Sequence, residues 1–179
     1  DYSPAENKAI LKLSDGTTLT LDTQHEEVAI AGNSIKYSDG KELINTDDIS
    51  SAVISTPRGG YYRVVLPDGT KVQLNAGSSL TYPLTFTGNT REVWATGELY
   101  FEVTHDKAKH FVVDIEQQVL RVLGTKFNVN SYAEAKTVKT SLIEGKVQIA
   151  SPTLKPIVLT PGQQSIVKPN RIHVKNIDP

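Results

Sequence analysis

An Asp-Gly turn flanked by alternating apolar residues occurs three times in the first half of the chain, at Asp15-Gly16, Asp39-Gly40 and Asp68-Gly69. Such a sequence favours a type I bend followed by glycine in the left-handed region, because glycine tolerates positive φ. The turn sets the register of its hairpin, and the register decides which side chains share a face. Around the first and third turns, the predicted buried faces consist of Leu11, Leu13, Leu19 and Leu21, and of Val64, Leu66, Val72 and Leu74.

Short segments with a two-residue period continue to the end of the chain. They predict strands at 91–94, 99–103, 111–115, 119–123, 127–129, 138–143, 146–149, 157–159 and 171–174. Glycine and proline separate these segments, and no window of helical period reaches the ~10 residues expected of a helix. The sequence therefore predicts an all-β fold, with antiparallel hairpins in a twisted sandwich or solenoid-like arrangement. At most single turns of helix are expected, at 75–80 and 133–136.

The same alternation predicts which side chains fill the core, since half-buried strands place every second residue inside. We expect the core to include Val64, Leu66, Val72, Leu74, Phe101, Val103, Val112, Leu123, Phe127, Val129, Val147 and Ile149. The polar stretch 45–57 and the proline-bearing stretch 151–156 are candidate seams between structural units, or else loops within one domain.

Length and composition exclude several classes of protein. A chain of 179 residues suits one domain, or one domain with a small appendage. Its 19 Lys+Arg nearly balance 20 Asp+Glu, which argues against disorder and against a nucleic-acid-binding surface. The absence of cysteine excludes thiol catalysis and thiolate metal sites. Because the chain starts at Asp1, contains no methionine and has no membrane-spanning apolar run, we expect it to be a soluble piece of a longer protein.

No pattern of catalytic or ligand-binding residues stands out. The four histidines, His25, His105, His110 and His173, lack the spacing of zinc ligands. Glu98 and Glu102 would share one face of a strand about 13 Å apart, beyond the ~9.5 Å limit for paired glycosidase carboxylates. The turn aspartates lack the spacing of a calcium loop, and the glycine-rich stretch 56–61 lacks the Lys-Ser/Thr of a phosphate loop. These residues predict a protein that is not an enzyme, with no catalytic residues, no metal site and no cofactor.

Six short blocks of sequence carry a family resemblance. They are TPRGGYYRVVLPDGTKVQLNAGSSLTYP at 56–83, GELYFEV at 97–103, FVV at 111–113, VLGTKFNVNSY at 122–132, EGKV at 144–147 and LTPGQQ at 159–164. In this order they resemble the periplasmic domain of the FecR family, although His110 stands where the family commonly has proline. The resemblance divides the chain into an N-terminal β-hairpin extension at 1–55, a FecR-like periplasmic β-domain at 56–170, and the start of a linker to a missing C-terminal domain at 171–179.

The resemblance implies a transmembrane anti-sigma regulator of iron or nutrient uptake in Gram-negative bacteria. In such a regulator a cytoplasmic segment holds an extracytoplasmic-function (ECF) sigma factor, and one inner-membrane helix joins that segment to the periplasmic domain. The implied function is the relay of a signal from an outer-membrane TonB-dependent transporter to the sigma factor by protein–protein contact. The transporter's signalling domain is expected to bind through the missing C-terminal domain. No contact with nucleic acid is expected, and the membrane is reached only through the missing helix.

Two other classes stay open on the sequence alone. A carbohydrate-binding β-sandwich of the cell envelope needs aromatic rings exposed on one face. The candidate rings are Tyr61, Tyr62, Tyr82, Phe86, Trp94, Tyr100 and Phe101. A cupin-like metal oxygenase needs a cluster of histidines and carboxylates.

Segments 157–159 and 171–174 are the first places to expect a docking edge, because they lie nearest the missing domain. An unpaired strand edge accepts a partner strand through backbone hydrogen bonds. The alternative is that these are ordinary edge strands protected against aggregation by charge, supplied by Lys155, Lys168, Arg171 and Lys175.

Overall fold

The computed structural model describes residues 9–22, 24–132 and 136–177. In these residues it contains strands and turns but no helix, and therefore no helix able to cross a membrane. The strands of this part of the chain are β1 (Ile10–Leu13), β2 (Thr18–Thr20), β3 (Glu27–Ala31), β4 (Ser34–Tyr37), β5 (Glu42–Asn45), β6 (Ser51–Ser55), β7 (Tyr62–Val65), β8 (Lys71–Leu74), β9 (Ser79–Pro83), β10 (Thr90–Thr96), β11 (Glu98–Glu102), β12 (His110–Ile115), β13 (Gln118–Val122), β14 (Lys126–Asn130), β15 (Val138–Glu144), β16 (Val147–Ser151), β17 (Leu154–Leu159), β18 (Gln163–Lys168) and β19 (Arg171–Asn176).

The strands form two facing sheets that are not closed into a barrel. The order in the first sheet is β17-β16-β13-β12-β10-β9-β6-β1-β2, and in the second sheet β19-β18-β15-β14-β11-β8-β7-β3-β4-β5. Neighbours run antiparallel except for the parallel pairs β10–β12 and β3–β7. Strand numbers fall along both sheets as far as β1 and β3, so the strands from β6 onward advance along one axis, whereas β2, β4 and β5 extend the sheets beyond β1 and β3. The predicted all-β arrangement of hairpins is confirmed.

The core lies between the two sheets, where inward side chains of both pack into one cluster. At its centre the rings of Phe101 and Phe127 stack with centroids 4.9 Å apart, and Phe111 meets Phe101 edge-on at 6.2 Å. Eleven of the twelve predicted core residues are buried, and Leu123 is the exception. Leu123 is only half-buried because β13 ends at Val122 and the chain then crosses to the second sheet.

The three Asp-Gly turns have the predicted geometry. In each, the aspartate Oδ1 accepts the backbone N–H two residues later, at 2.8, 2.9 and 3.0 Å along the chain. The glycines Gly16, Gly40 and Gly69 take φ of +93°, +89° and +86°. Because these contacts are local, the turn chemistry and the register that follows from it are both confirmed in the fold.

Several local predictions are wrong. The possible helical turn at 75–80 is a tight connection followed by β9. The polar stretch 45–57 contains β6, which pairs with both β1 and β9 inside the first sheet. The possible helical turn at 133–136 falls mostly outside the described residues. The division of the chain at residue 55 stays a prediction.

The two ends of the sandwich differ from β12 onward. The connections β12–β13 and β16–β17 stay within the first sheet, and β14–β15 and β18–β19 stay within the second. These four connections lie at one end, here called the turn end. At the other end the chain crosses between sheets after β11, β13, β15 and β17. Among the described residues no crossing segment of this half covers the turn end, and a cavity lies between the sheets there.

Candidate docking edge and interior networks

β19 is the last strand of the second sheet and pairs with β18 along its whole length. All of its residues are exposed except the half-buried Ile172. Ile177 N donates to Gly162 O at 2.8 Å, and hydrogen-bonded pairs alternate along an antiparallel ladder. This alternation turns the backbone groups of Ile172, Val174 and Asn176 away from β18. β19 therefore offers a six-residue edge to a further strand.

The side chains of β19 give this edge a positive charge. Arg171, His173 and Lys175 share the solvent face of the strand, and Lys168 lies directly opposite Arg171 on β18. The strand itself contains no acidic residue. On its other face Val174 remains 38% exposed. A partner with acidic side chains beside an extended backbone complements this surface best.

β17, the second predicted docking strand, is a poorer edge. It forms the edge of the first sheet, but Pro156 lies inside it and has no N–H to donate. Its pairing with β16 is irregular between Ile149 and Ser151. At the opposite side of the molecule the edges β2 and β5 are only three and four residues long. Among the sheet edges of the described residues, β19 alone is six residues long and free of both proline and irregular pairing.

A buried arginine connects several segments of this framework, and no sequence pattern considered above predicted its role. Arg91 is 2% exposed, and its Nη1 contacts Asp68 Oδ2 at 2.7 Å. The guanidinium also donates to the carbonyl oxygens of Thr104, Lys109 and Leu123 at 2.7, 2.9 and 3.1 Å. Its Cζ lies 5.4 Å from the centroid of the Phe111 ring. The arginine thus joins the third Asp-Gly turn to two segments that cross between the sheets.

Glu98 is the centre of a second polar network, on the solvent face of β11. Its carboxylate accepts the side-chain amide of Asn75 at 2.8 Å and those of Asn128 and Asn130 at 3.2 Å each. Glu102 lies at the other end of the strand, opposite Lys71 and Lys126. The two carboxylates therefore lie on one polar face of β11, as their spacing predicts, but each interacts with a different set of neighbours.

The histidines do not come together. His25 hydrogen bonds Asp39 at 2.8 Å and stacks on Tyr37 with ring centroids 4.1 Å apart. This hydrogen bond holds the pKa of Asp39 below its ordinary value. His110 begins β12 and His173 lies on β19, in different sheets. Within the described ranges no group of three or more His, Cys, Asp or Glu residues is placed to hold a metal ion.

The candidate aromatic rings do not form one exposed face either. Tyr62, Tyr82 and Phe101 are buried in the core. Trp94 is 48% exposed on β10 of the first sheet, whereas Tyr61, 46% exposed, precedes β7 of the second sheet. Phe86 and Tyr100 are half-buried, so the two most exposed of the candidate rings lie on different sheets.

The family model "FecR protein" matches residues 52–148. Two crystal structures from Parabacteroides distasonis ATCC 8503, of a protein named as an anti-sigma factor, are 39% and 40% identical to the chain, with TM-scores of 0.69 and 0.68. The matches cover 72% and 70% of this chain and 61% and 60% of those chains, so the chain spans about three fifths of their length. No curated protein matches the chain significantly.

Proposed function

The chain belongs to the FecR family, and we propose that it is the periplasmic signal-relay domain of a FecR-like anti-sigma regulator. In this proposal it is part of a single-pass inner-membrane protein. It passes the state of an outer-membrane TonB-dependent transporter, involved in iron or nutrient uptake, to a cytoplasmic ECF sigma factor. The match to the FecR model and the similarity to structures named as an anti-sigma factor support this regulatory role.

The uninterrupted edge of β19 is the observation that carries the mechanism. A signal relay that works by contact and not by catalysis needs a surface on which a neighbouring domain docks in one defined position. A strand edge provides both the hydrogen bonds and the fixed register for such docking. The proposed domain division has an extension at 1–55, a β-domain at 56–170 and a linker starting at 171. Since residues 171–176 form β19, the first part of this linker is held on the second sheet, next to the proposed C-terminal domain.

Docking at this edge would add an antiparallel or parallel strand to the second sheet. The outward backbone groups of Ile172, Val174 and Asn176 would pair with the incoming strand. The positive side chains Arg171 and Lys175 would select an acidic strand and speed its encounter, an effect that weakens with salt. The transporter's signalling domain then acts on the domain held at this edge.

Replacing Val174 by proline tests this mechanism. Val174→Pro removes one outward N–H without removing a hydrogen bond to β18, and proline is tolerated on edge strands. Val174→Ala is the matched control, because it shortens the side chain and keeps the N–H. Both variants are introduced into the intact regulator in its own cell, and sigma-dependent transcription is measured together with the amount of regulator.

We expect the proline variant to lose induction by the transporter's substrate and the alanine variant to retain it. Normal induction in the proline variant, at normal protein level, would show that the relay does not use this edge. Loss of induction in both variants would assign the effect to the side chain and contradict docking through the backbone.

A further inference from the structure

A groove opens between the sheets at the turn end, beside the β18–β19 turn and separate from the outward backbone groups of β19 that the proposed relay uses. Its cavity has a volume of about 360 Å³, within the range of small-molecule sites. Next to it lies a hollow of about 610 Å³, and the two share Glu116, Ser131 and Tyr132 as walls. Short loops held by a rigid sandwich are a common location for binding sites.

The interior of the groove contains polar groups that lack partners. Val138 and Val167, opposite each other on β15 and β18, contribute an apolar surface. Gln118 also lines the cavity and is 4% exposed, yet its Oε1 has no hydrogen-bond partner among the described residues. At the next inward-facing pair of β15 and β18, the hydroxyls of Thr140 and Ser165 are likewise buried without partners in the described chain. Buried polar atoms are normally satisfied, so Gln118 points to a missing hydrogen-bond donor.

Backbone strain is concentrated at the same place. In the described part of the chain two residues other than glycine have positive φ, Glu116 at 53° and Lys136 at 50°. Both line the cavity. Left-handed conformations of non-glycine residues persist where the surroundings impose them, and they cluster at binding sites. Glu116 is the first residue of the two-residue β12–β13 turn, where the hairpin itself requires positive φ, so Lys136 is the lining residue whose conformation is unusual.

The polar wall defines the chemistry of a ligand. Lys136 and Lys168 line the cavity together with one carboxylate, Glu116, so its charged side chains favour an anion. Four serine and threonine residues also line the cavity, among them Ser151 and Thr153, while the hydroxyl of Ser131 already donates to Gly97 O. A ligand that fits these groups carries a negative charge for the lysines and hydroxyl donors for Gln118 and the hydroxyl groups.

We propose that this groove binds a small carboxylated polyol of the sugar-acid class. The ligand carboxylate lies between Lys136 and Lys168, and a ligand hydroxyl donates to Gln118 Oε1. The remaining hydroxyls exchange hydrogen bonds with the serine and threonine side chains. The neighbouring hollow, which reaches Arg58, leaves room for a longer saccharide.

Binding is measured by calorimetry and by NMR shifts on the 179-residue chain. The probes are D-galacturonate, its uncharged counterpart D-galactose, and acetate, which has the charge without the hydroxyls, each up to about 10 mM, a range that detects weak affinities. We expect saturable binding of galacturonate that is at least about tenfold tighter than binding of galactose or acetate.

Two variants connect binding to the groove. Gln118→Leu removes the acceptor and leaves no unpaired polar atom at that position, so we expect at least about tenfold weaker galacturonate binding with an unchanged or higher Tm. Lys168→Gln should weaken binding similarly, whereas Lys71→Gln, an exposed lysine that does not line the groove, should leave it unchanged.

Three results would overturn the proposal. The first is no saturable binding of galacturonate, and the second is equal binding of galacturonate and acetate or of galacturonate and galactose. The third is unchanged galacturonate binding in Gln118→Leu. None of these results depends on sigma-dependent transcription, so the ligand site and the relay function are tested separately.

Discussion

Asp68→Asn is the substitution whose cost follows most directly from the structure. Asparagine keeps the size of the side chain and the acceptor that holds Thr70 N at 3.0 Å. It removes the charge 2.7 Å from Arg91 Nη1 and puts an amide there in place of a carboxylate oxygen. The guanidinium, only 2% exposed, then remains buried without its counter-ion.

Removing one partner of a buried ion pair lowers the free energy of unfolding by about 3–5 kcal/mol. The side chain of Asp68 is 15% exposed and Arg91 keeps three carbonyl acceptors, so the lower figure applies. We expect a loss of about 3 kcal/mol, which is a large fraction of the total stability of a domain. With a urea m-value of about 2 kcal/mol/M, the unfolding midpoint should fall by about 1.5 M.

Urea unfolding followed by tryptophan fluorescence measures this shift, since the chain has one tryptophan. Asp15→Asn is the matched control, because Asp15 occupies the same turn position and holds Thr17 N at 2.8 Å but is exposed. The control should leave the midpoint nearly unchanged. Equal midpoints for Asp68→Asn and the parent would refute the conclusion that the Arg91 network holds the third turn in place.

Three further predictions concern the framework. Gly69→Val should cost about 1–3 kcal/mol, because φ is +86° there and a β-branched residue is strained at positive φ; an unchanged Tm would contradict the turn geometry. Phe127→Ala should cost about 3–5 kcal/mol by urea titration, because the ring is fully buried against Phe101, and a loss below about 1 kcal/mol would show a loosely packed centre. Glu92→Gln should stabilise the chain at neutral pH. A hydrogen bond with Asp114, and then burial, raise the pKa of Glu92, so the folded state binds the proton of this acid more tightly than the unfolded state does. The stability that comes from the protonated acid is therefore lost as pH rises through the raised pKa. Tm measured from about pH 4 to pH 7 should therefore fall less with rising pH in Glu92→Gln than in the parent, and parallel profiles would contradict this assignment.

The hairpins could be predicted because the residues that determine each turn are adjacent in the sequence. An Asp-Gly turn contains its own hydrogen bond and its own positive φ, and it sets the register of the strands around it. β18 was missed because its inward residues are Ser165 and Val167, so one of its two buried positions is polar and breaks the apolar alternation. β6 was missed for a similar reason, since serines surround its buried residues Ala52 and Ile54.

The Arg91 network could not be derived from any local pattern, because its four acceptors come from three separate segments of the chain. A signal was nonetheless present: Arg91 has the same parity in β10 as the inward residues Val93 and Ala95. An arginine at an inward position needs a buried partner. Similarly, the sequence indicated a strand at 171–174, but whether its edge is free depends on the order of strands in the sheet, which is not a local property.

Amide hydrogen exchange at β19 tests the central claim of the relay most directly. The intact regulator is compared with a form that lacks the proposed C-terminal domain, so that a partner strand supplied by that domain is present in one sample and absent in the other. If the edge is the docking surface, the outward amides of Ile172, Val174 and Asn176 should exchange more slowly in the intact regulator, while the short edges β2 and β5 should not change. Equal exchange of these three amides in both forms, or protection confined to other strands, would contradict the account.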